Sequence, residues 1–263
     1  MHRFSVFVTF VAFLLVIVGA LVTSTDAGGA IPDWPLSWGK LVPPLEGGIV
    51  YAWEHRVLAA LVTVLTLVLA VSSRSRLAWI AFAMVVAQAL VGALVTRVVA
   101  PHVTVILHAC LAQACFGMLV WNSAATSGMK LRLGGPQGLA VVFIFVQTIL
   151  GAALRHQIIG AIPHIIGAIV TTIIVLWAVV PVMMDHMREA GALLGITAFQ
   201  IFLGMGAYFT RTLEAPQPVP MMVWFTAAHV AVGSMALGAA IVLTLVVYWR
   251  QHSEGDVGGM AVA

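Results

Sequence analysis

Residues 163–184 read PHIIGAIVTTIIVLWAVVPVMM. The run contains no Asp, Glu, Lys or Arg. Its length suits a membrane crossing, since a helical span needs roughly 20 apolar residues at about 1.5 Å per residue. Apolar residues fill it without the two-residue alternation of a barrel strand. Lipid offers no partner to peptide N–H and C=O groups, so such a run in a bilayer is helical. The single ionisable residue is His164, in the first turn.

Working outward, seven similar segments appear at about 4–23, 54–72, 77–96, 103–123, 138–154, 192–211 and 223–249. Polar or Gly/Pro-rich breaks separate them, such as Ser72-Ser73-Arg74-Ser75-Arg76. The first segment shares features of a signal peptide, with Arg3 before it and small residues after it. Its apolar core is longer than the usual stretch of about 7–15 residues, and we read it as a span. The composition agrees: 62% hydrophobic and 8% charged, against about 25% charged in a soluble domain. Nine acids and twelve Lys plus Arg are too few to cover a water-facing surface, which excludes a soluble globular enzyme. A net charge of +3 without a basic run argues against nucleic-acid partners. Two cysteines exclude a disulfide-rich module. The expected fold class is all-α: a polytopic membrane protein with eight transmembrane helices.

With the N-terminus inside, the inner positions carry Arg3, Arg74, Arg76, Lys130, Arg132, Arg188 and Arg250. The outer positions carry Lys40, Arg56, Arg97, Arg155 and Arg211. Seven against five favours cytoplasmic termini in a cell-membrane protein, but leaves an outer basic excess that needs its own explanation. The loop 24–53, with five glycines and Trp and Pro clusters, then lies outside and is expected to form a compact flap.

The chain repeats itself. HRVLAALVT after Glu54 parallels HIIGAIVTT after Pro163, and HACLAQACFG from His108 parallels HVAVGSMALG from His229. Gln followed four residues later by Gly recurs as Gln88/Gly92, Gln147/Gly151, Gln200/Gly204 and Gln113/Gly117. Ordered matches of this kind predict two pseudo-symmetric four-helix halves, residues 1–126 and 127–263.

An ionisable group inside a span is costly and points to function. Four histidines fall in spans: His55, His108, His164 and His229. All lie on even-numbered helices, near the same shallow depth on the outer side. A lone intramembrane His is usually a hydrogen-bonded packing residue, but four in two-fold sequence symmetry call for a ligand. Facing imidazoles in a helical bundle suit axial coordination of haem iron. This gives two candidate bis-His sites, His55 with His108 and His164 with His229. Zinc needs three or four protein ligands, more than each pair offers. Cys110 and Cys115 read as small packing residues. The remaining histidines, His2, His102, His156, His186 and His252, read as solvated or interfacial. Arg56, Arg97, Arg155 and Arg211 are snorkelling anchors or partners for outward-facing haem propionates. Glu54 is either an acid favoured by a helix N-terminus or a group reaching a substrate at the outer mouth.

With these features assembled, the chain resembles the haem A synthase family along essentially its whole length. The most specific stretch is GGAIPDWPLSWGKLVPP, residues 28–44, followed by EHR at 54–56. The family loop commonly reads CPDWPLCxG; Ile31 and Ser37 stand at its cysteine positions, so the resemblance is to the cysteine-poor type. The family motif ExxHR places an acid where this chain has Ala52, whereas its own acid is Glu54. The resemblance implies oxidation of a methyl group of haem O to the formyl group of haem A for terminal cytochrome oxidases. It implies that His55 and His108, with Glu54 as candidate acid, serve the substrate haem, and that His164 and His229 hold a haem b. Implied partners are the bilayer, the haem O-producing enzyme and terminal oxidase subunits. Two other readings stand beside it: a non-catalytic di-haem cytochrome or oxidase assembly factor, and a transporter. Four helices per half give parallel repeats, which counts against the inverted-repeat transporter.

Overall fold

The computed structural model describes residues 1–97, 102–129, 134–212 and 218–260. The side chains of Arg97 and of residues 251–260, together with Lys130 and Arg132, lie outside the described residues. Among the described residues, eight helices are long and apolar enough to cross a membrane. They are α1 (His2–Ser24), α2 (Gly48–Ser73), α3 (Arg76–Arg97), α4 (His102–Thr126), α5 (Gly135–Arg155), α6 (Ala161–Val179), α7 (Met187–Arg211) and α8 (Pro220–Met260). Among the described residues there is no strand beyond an isolated Ser37–Lys40 bridge. The chain is a multi-pass membrane protein of all-α class.

Several element boundaries differ from expectation: α7 starts at Met187 and not at 192, α8 continues to Met260 and not to 249, and two others have clear local reasons. α2 starts at Gly48, six residues before the expected 54, because Ile49-Val50-Tyr51-Ala52-Trp53 is itself apolar and helix-compatible. The acid at 54 marks no helix end; the break falls at Gly47, whose φ of +52° suits glycine. The loop is therefore 25–47, and His55 sits in the second turn. The span at 163–184 is not one continuous α-helix. It tightens into a 3₁₀ turn over Val180–Val182, where Pro181 can donate no backbone hydrogen bond.

Packing is inverted relative to a soluble bundle. Large apolar side chains such as Phe7, Phe10, Leu61, Ile169, Ile173 and Phe202 are exposed, whereas the interior is rich in alanine. In lipid, helices associate by van der Waals contact, and small residues let their backbones approach. α1 packs on α2, α2 on α3, α3 on α4 and α4 on α1, making a ring. α5, α6, α7 and α8 close a second ring in the same order. α8 joins the rings by also contacting α1 and α4, and α4 meets α5.

Each ring has its own apolar core, set toward the face where α1 begins. In the first it gathers Val8, Val11, Val62, Leu69, Ala81, Cys115 and Leu119. In the second it gathers Ala140, Ile144, Val175, Ala190, Leu193 and Leu243. A polar tie lies at the same end: Ser5 bonds the Ser123 hydroxyl at 3.0 Å and receives Asn122 Nδ2 at 2.9 Å. Both rings are thus plugged at one end, and all four histidines lie toward the other, the loop face.

Candidate functional site

α2 and α4 occupy opposite corners of the first ring, as α6 and α8 do in the second. His55 and His108 face each other across the first diagonal, with ring centres 6.3 Å apart and planes at 72°. His164 and His229 do the same across the second, at 6.2 Å and 76°. The two sites agree closely, although their sequence spacings differ.

Each imidazole rests against a glycine on the preceding helix. A Cβ built on Gly19 would lie 3.1 Å from His55 Cε1, and one on Gly92 would lie 2.9 Å from His108 Cε1. The corresponding distances are 3.2 Å for Gly151 against His164 and 2.9 Å for Gly204 against His229. A Cβ would force the imidazole to shift at Gly92 and Gly204 and would crowd it at Gly19 and Gly151. Each of the four antiparallel helix pairs therefore supplies one glycine and one histidine.

The Gln–x–x–x–Gly element now has a local meaning. Gln88 Nε2 donates to the His108 carbonyl at 2.9 Å and lies 3.3 Å from His108 Nε2. Gln147 Nε2 donates to the His164 carbonyl at 2.9 Å and lies 3.1 Å from His164 Nδ1. Gln200 Nε2 lies 3.4 Å from His229 Nε2, while His229 Nδ1 is 3.1 Å from the Gln200 carbonyl. Gly167 and Gly233 leave the space that the side chains of Gln147 and Gln200 occupy. Gln113 differs from these three. Its Oε1 accepts a hydrogen bond from Ser234 at 2.9 Å and so ties α4 to α8. The sequence repeat marked these glutamines without revealing that three of them contact histidines.

The donor set can be tested against a haem. An imidazole nitrogen lies about 2.0 Å from a bound metal and the ring centre roughly 1 Å further, so two trans imidazoles have centres about 6 Å apart. Both observed separations meet this. Among the described residues, no group of three or more His, Cys, Asp or Glu comes together. Zinc would lack ligands, whereas haem iron asks the protein only for axial ones. Nδ1 of His55 and of His108 are buried without a hydrogen-bond partner, a costly arrangement that a ligand would relieve. The first pair fits a bis-imidazole haem by both its separation and its orphaned nitrogens, and the second fits by its separation.

The other expected site residues are spread over the loop face. Arg56 turns its guanidinium into the loop, donating to Leu36 O at 2.7 Å, Ile31 O at 3.1 Å and Ser37 Oγ at 3.3 Å. Asp33 completes the fold of that loop by accepting the N–H groups of Trp38 at 2.6 Å and Gly39 at 2.7 Å. Those bonds, Gly39 first, hold its carboxyl below the ordinary value. Arg155 bridges the rings, pairing with Asp26 at 3.0 Å and donating to the Thr23 carbonyl at the end of α1. Arg211 is exposed and makes no hydrogen bond or salt bridge among the described residues. Arg97 closes α3, with its side chain outside the described residues. Glu54 is exposed, some 100° around α2 from His55, and is not at a helix N-terminus. Ala52, three residues before His55 and on its face, is buried.

One of the remaining histidines, His186, departs from the solvated expectation, whereas His2 is exposed as expected. His186 is buried with Nδ1 unpartnered. His2 begins α1, with Nδ1 3.0 Å from the Ser123 carbonyl. Sequence position alone could not show that the short α6–α7 connection folds inward.

Fold and site together define a membrane helix bundle carrying two facing imidazole pairs. No family model matches the chain. Among curated proteins it is 28% identical to a haem A synthase of Geobacillus thermodenitrificans over 260 residues, 90% of this chain and 80% of that relative. It is 29% identical to one of Exiguobacterium sibiricum over 175 residues, 58% of each chain. It is 41% identical to one of Bacillus pumilus over 68 residues, 26% of this chain and 22% of that relative. The last two matches thus span about half and about a fifth of those proteins. These similarities support the haem A synthase family for this chain.

Proposed function

We propose that this chain acts in haem A biosynthesis as an oxidoreductase that converts a methyl group of haem O to the formyl group of haem A. The observation that carries this reading is the duplicated imidazole pair, at 6.3 and 6.2 Å across two ring diagonals. Relatives covering 58% and 90% of the chain are named haem A synthases. In this reading residues 1–126 hold the substrate haem through His55 and His108, and residues 127–263 hold a haem b through His164 and His229. A bound haem supplies the redox chemistry, and the protein orients it and tunes it through its axial ligands.

The chain's own residues have separable tasks. The four glycines let the imidazoles lie flush against α1, α3, α5 and α7. The apolar cores close the bundle beneath both pairs and keep water from that end. Arg211, whose donors are unused among the described residues, stands at the loop face to meet a propionate, with Arg155 beside the seam and Arg97 at the end of α3. Arg56 holds the loop over the first pair's end of α2 and offers less to a propionate, because both Nη atoms serve the loop. The termini lie in the cytoplasm of a cell-membrane protein, and the haem O-producing enzyme and terminal oxidase subunits are the partners this role requires.

A second reading has its own observation. With Ala52 buried where the family motif has its acid, and Glu54 exposed, no acid of α2 lies on the His55 face near that residue. This favours a non-catalytic di-haem cytochrome or oxidase assembly factor. Expression beside a haem O source, followed by haem extraction and chromatography, separates the two. Haem A supports the oxidase, and bound haem without haem A supports the second reading. A protein that stays colourless with haem supplied refutes both.

A further inference from the structure

The loop between α1 and α2 carries apolar side chains that its own fold leaves uncovered. Its first part is a closed frame. Arg56 holds the carbonyls of Ile31 and Leu36, and Asp33 takes the N–H groups of Trp38 and Gly39. Trp38 Nε1 donates to the Ala30 carbonyl at 3.2 Å, and Ser37 and Lys40 exchange backbone bonds at 2.8 and 3.1 Å. The segment after Lys40 leaves this frame. Leu41 is 83% exposed, Val42 58% and Leu45 46%, while Pro43 among them is buried. An exposed apolar patch on a segment outside the spans marks contact with lipid or with another protein.

The direction of the patch follows from α2. Val57, Leu61, Val64, Val68 and Val71 are exposed. Their spacing of alternately four and three residues puts them on one helix face. This stripe is the face that α2 turns to lipid. Trp53 stands four residues before Val57, at the top of the same stripe. Its Nε1 donates to the Leu41 carbonyl at 2.8 Å. That bond brings Leu41 to the lipid-facing edge of the bundle, away from the middle of the ring. Trp rings favour the level where hydrocarbon meets water. Lys40 is exposed next to Leu41, and its ammonium can reach headgroup phosphates while its stem lies on apolar surface. With Trp38, Pro44 and Ile49 it lines a groove of about 340 Å³ between the loop and the start of α2.

We propose that Leu41, Val42 and Leu45 sit in the interfacial layer of the leaflet on the loop side, so that the loop is a membrane-anchored bracket at the head of α2. A bilayer fits the patch better than a protein partner does, because the patch continues the lipid-facing stripe and Trp53 joins the two. Arg56 ties the same loop to α2 beside His55, so the anchor also steadies the end of α2 that carries the first imidazole. The proposal does not depend on haem binding.

The test is a depth measurement on the full chain in phosphatidylcholine nanodiscs. Leu41→Cys carries a nitroxide label, in a background with Cys110→Ala and Cys115→Ala so that only the new thiol reacts. Power saturation in electron paramagnetic resonance compares the label's collisions with oxygen, which concentrates in lipid, and with a water-soluble nickel complex. Val64→Cys on the stripe supplies the lipid limit. Gly28→Cys supplies the water limit, at an exposed loop position whose Cβ would meet nothing within 4 Å. The oxygen-to-nickel ratio at position 41 should lie nearer the Val64 limit. A ratio nearer the Gly28 limit overturns the proposal and leaves the patch to a protein partner. Should the Leu41 variant not be recovered folded, Val42→Cys decides by the same comparison.

Discussion

Replacing Gly204 by alanine tests the cradle directly. The new Cβ would lie 2.9 Å from His229 Cε1, 3.4 Å from Nδ1 and 3.7 Å from Nε2. Ordinary contact begins at 3.4 Å, so the ring must retreat by 0.5 Å or swing away. Metal–ligand distances in sound sites hold to within about 0.2 Å, so a retreat of that size strains the bond to a haem. Overpacking of this kind costs about 1–3 kcal/mol, equivalent to roughly 5–150-fold in affinity. Alanine meanwhile favours a helix over glycine by about 1 kcal/mol, so the haem-free protein should unfold near the parent temperature. Haem content after loading and gel filtration, with the ferric electron paramagnetic resonance spectrum, reads the effect. The expectation is selective weakening of the second haem while the first is retained. Gly195→Ala on the same helix is the control, because its Cβ would meet nothing within 4 Å. Two haems with a parental spectrum in Gly204→Ala would refute the reasoning that glycine sets the imidazole's place.

Three further outcomes are expected. His164→Ala and His229→Ala should each lose the tightly held haem, seen as a fall in Soret absorbance per protein; loss only on changing His55 or His108 would reverse the roles of the halves. Arg56→Ala removes the bonds to Ile31, Leu36 and Ser37. At about 1.5–3 kcal/mol for a charged hydrogen bond, less for the exposed part, it should expose residues 31–39 to protease much faster than in the parent. The Asp33 carboxyl is held below its ordinary value of 3.8, so its loop bonds are complete above that pH. They weaken only as pH falls through the depressed value; Trp fluorescence in a titration should therefore stay flat to about pH 4.

Much of the fold was legible because lipid restricts the choices. Eight apolar runs with few charges leave helices as the answer, and their ends fell close to expectation except at the starts of α2 and α7 and the end of α8. Gly48 to Trp53 is apolar helix that the acid at 54 hid. The pairing of His55 with His108 and of His164 with His229 was legible from the repeat, since equivalent positions on even helices reach equivalent depths. The glycine opposite each imidazole was not, because Gly19 has no glutamine before it and a helix of small residues offers many candidates. The fates of the arginines were also hidden. Position at a helix end says that Arg56 and Arg155 face the loop side, but not that carbonyls of residues 31 and 36 or Asp26 take their donors. His186 looked exposed because short connections usually are; its burial depends on α7 packing, which no local pattern encodes.

The order of the helix pairs sets a timetable for synthesis. The first imidazole pair draws only on α1 to α4, so its protein parts are complete once His108 has entered the membrane. His229 follows about 120 residues later, roughly 6–24 s at 5–20 residues per second. During that interval the first ring stands without α8, the helix that later contacts α1 and α4. Its flank toward the absent half is open to lipid.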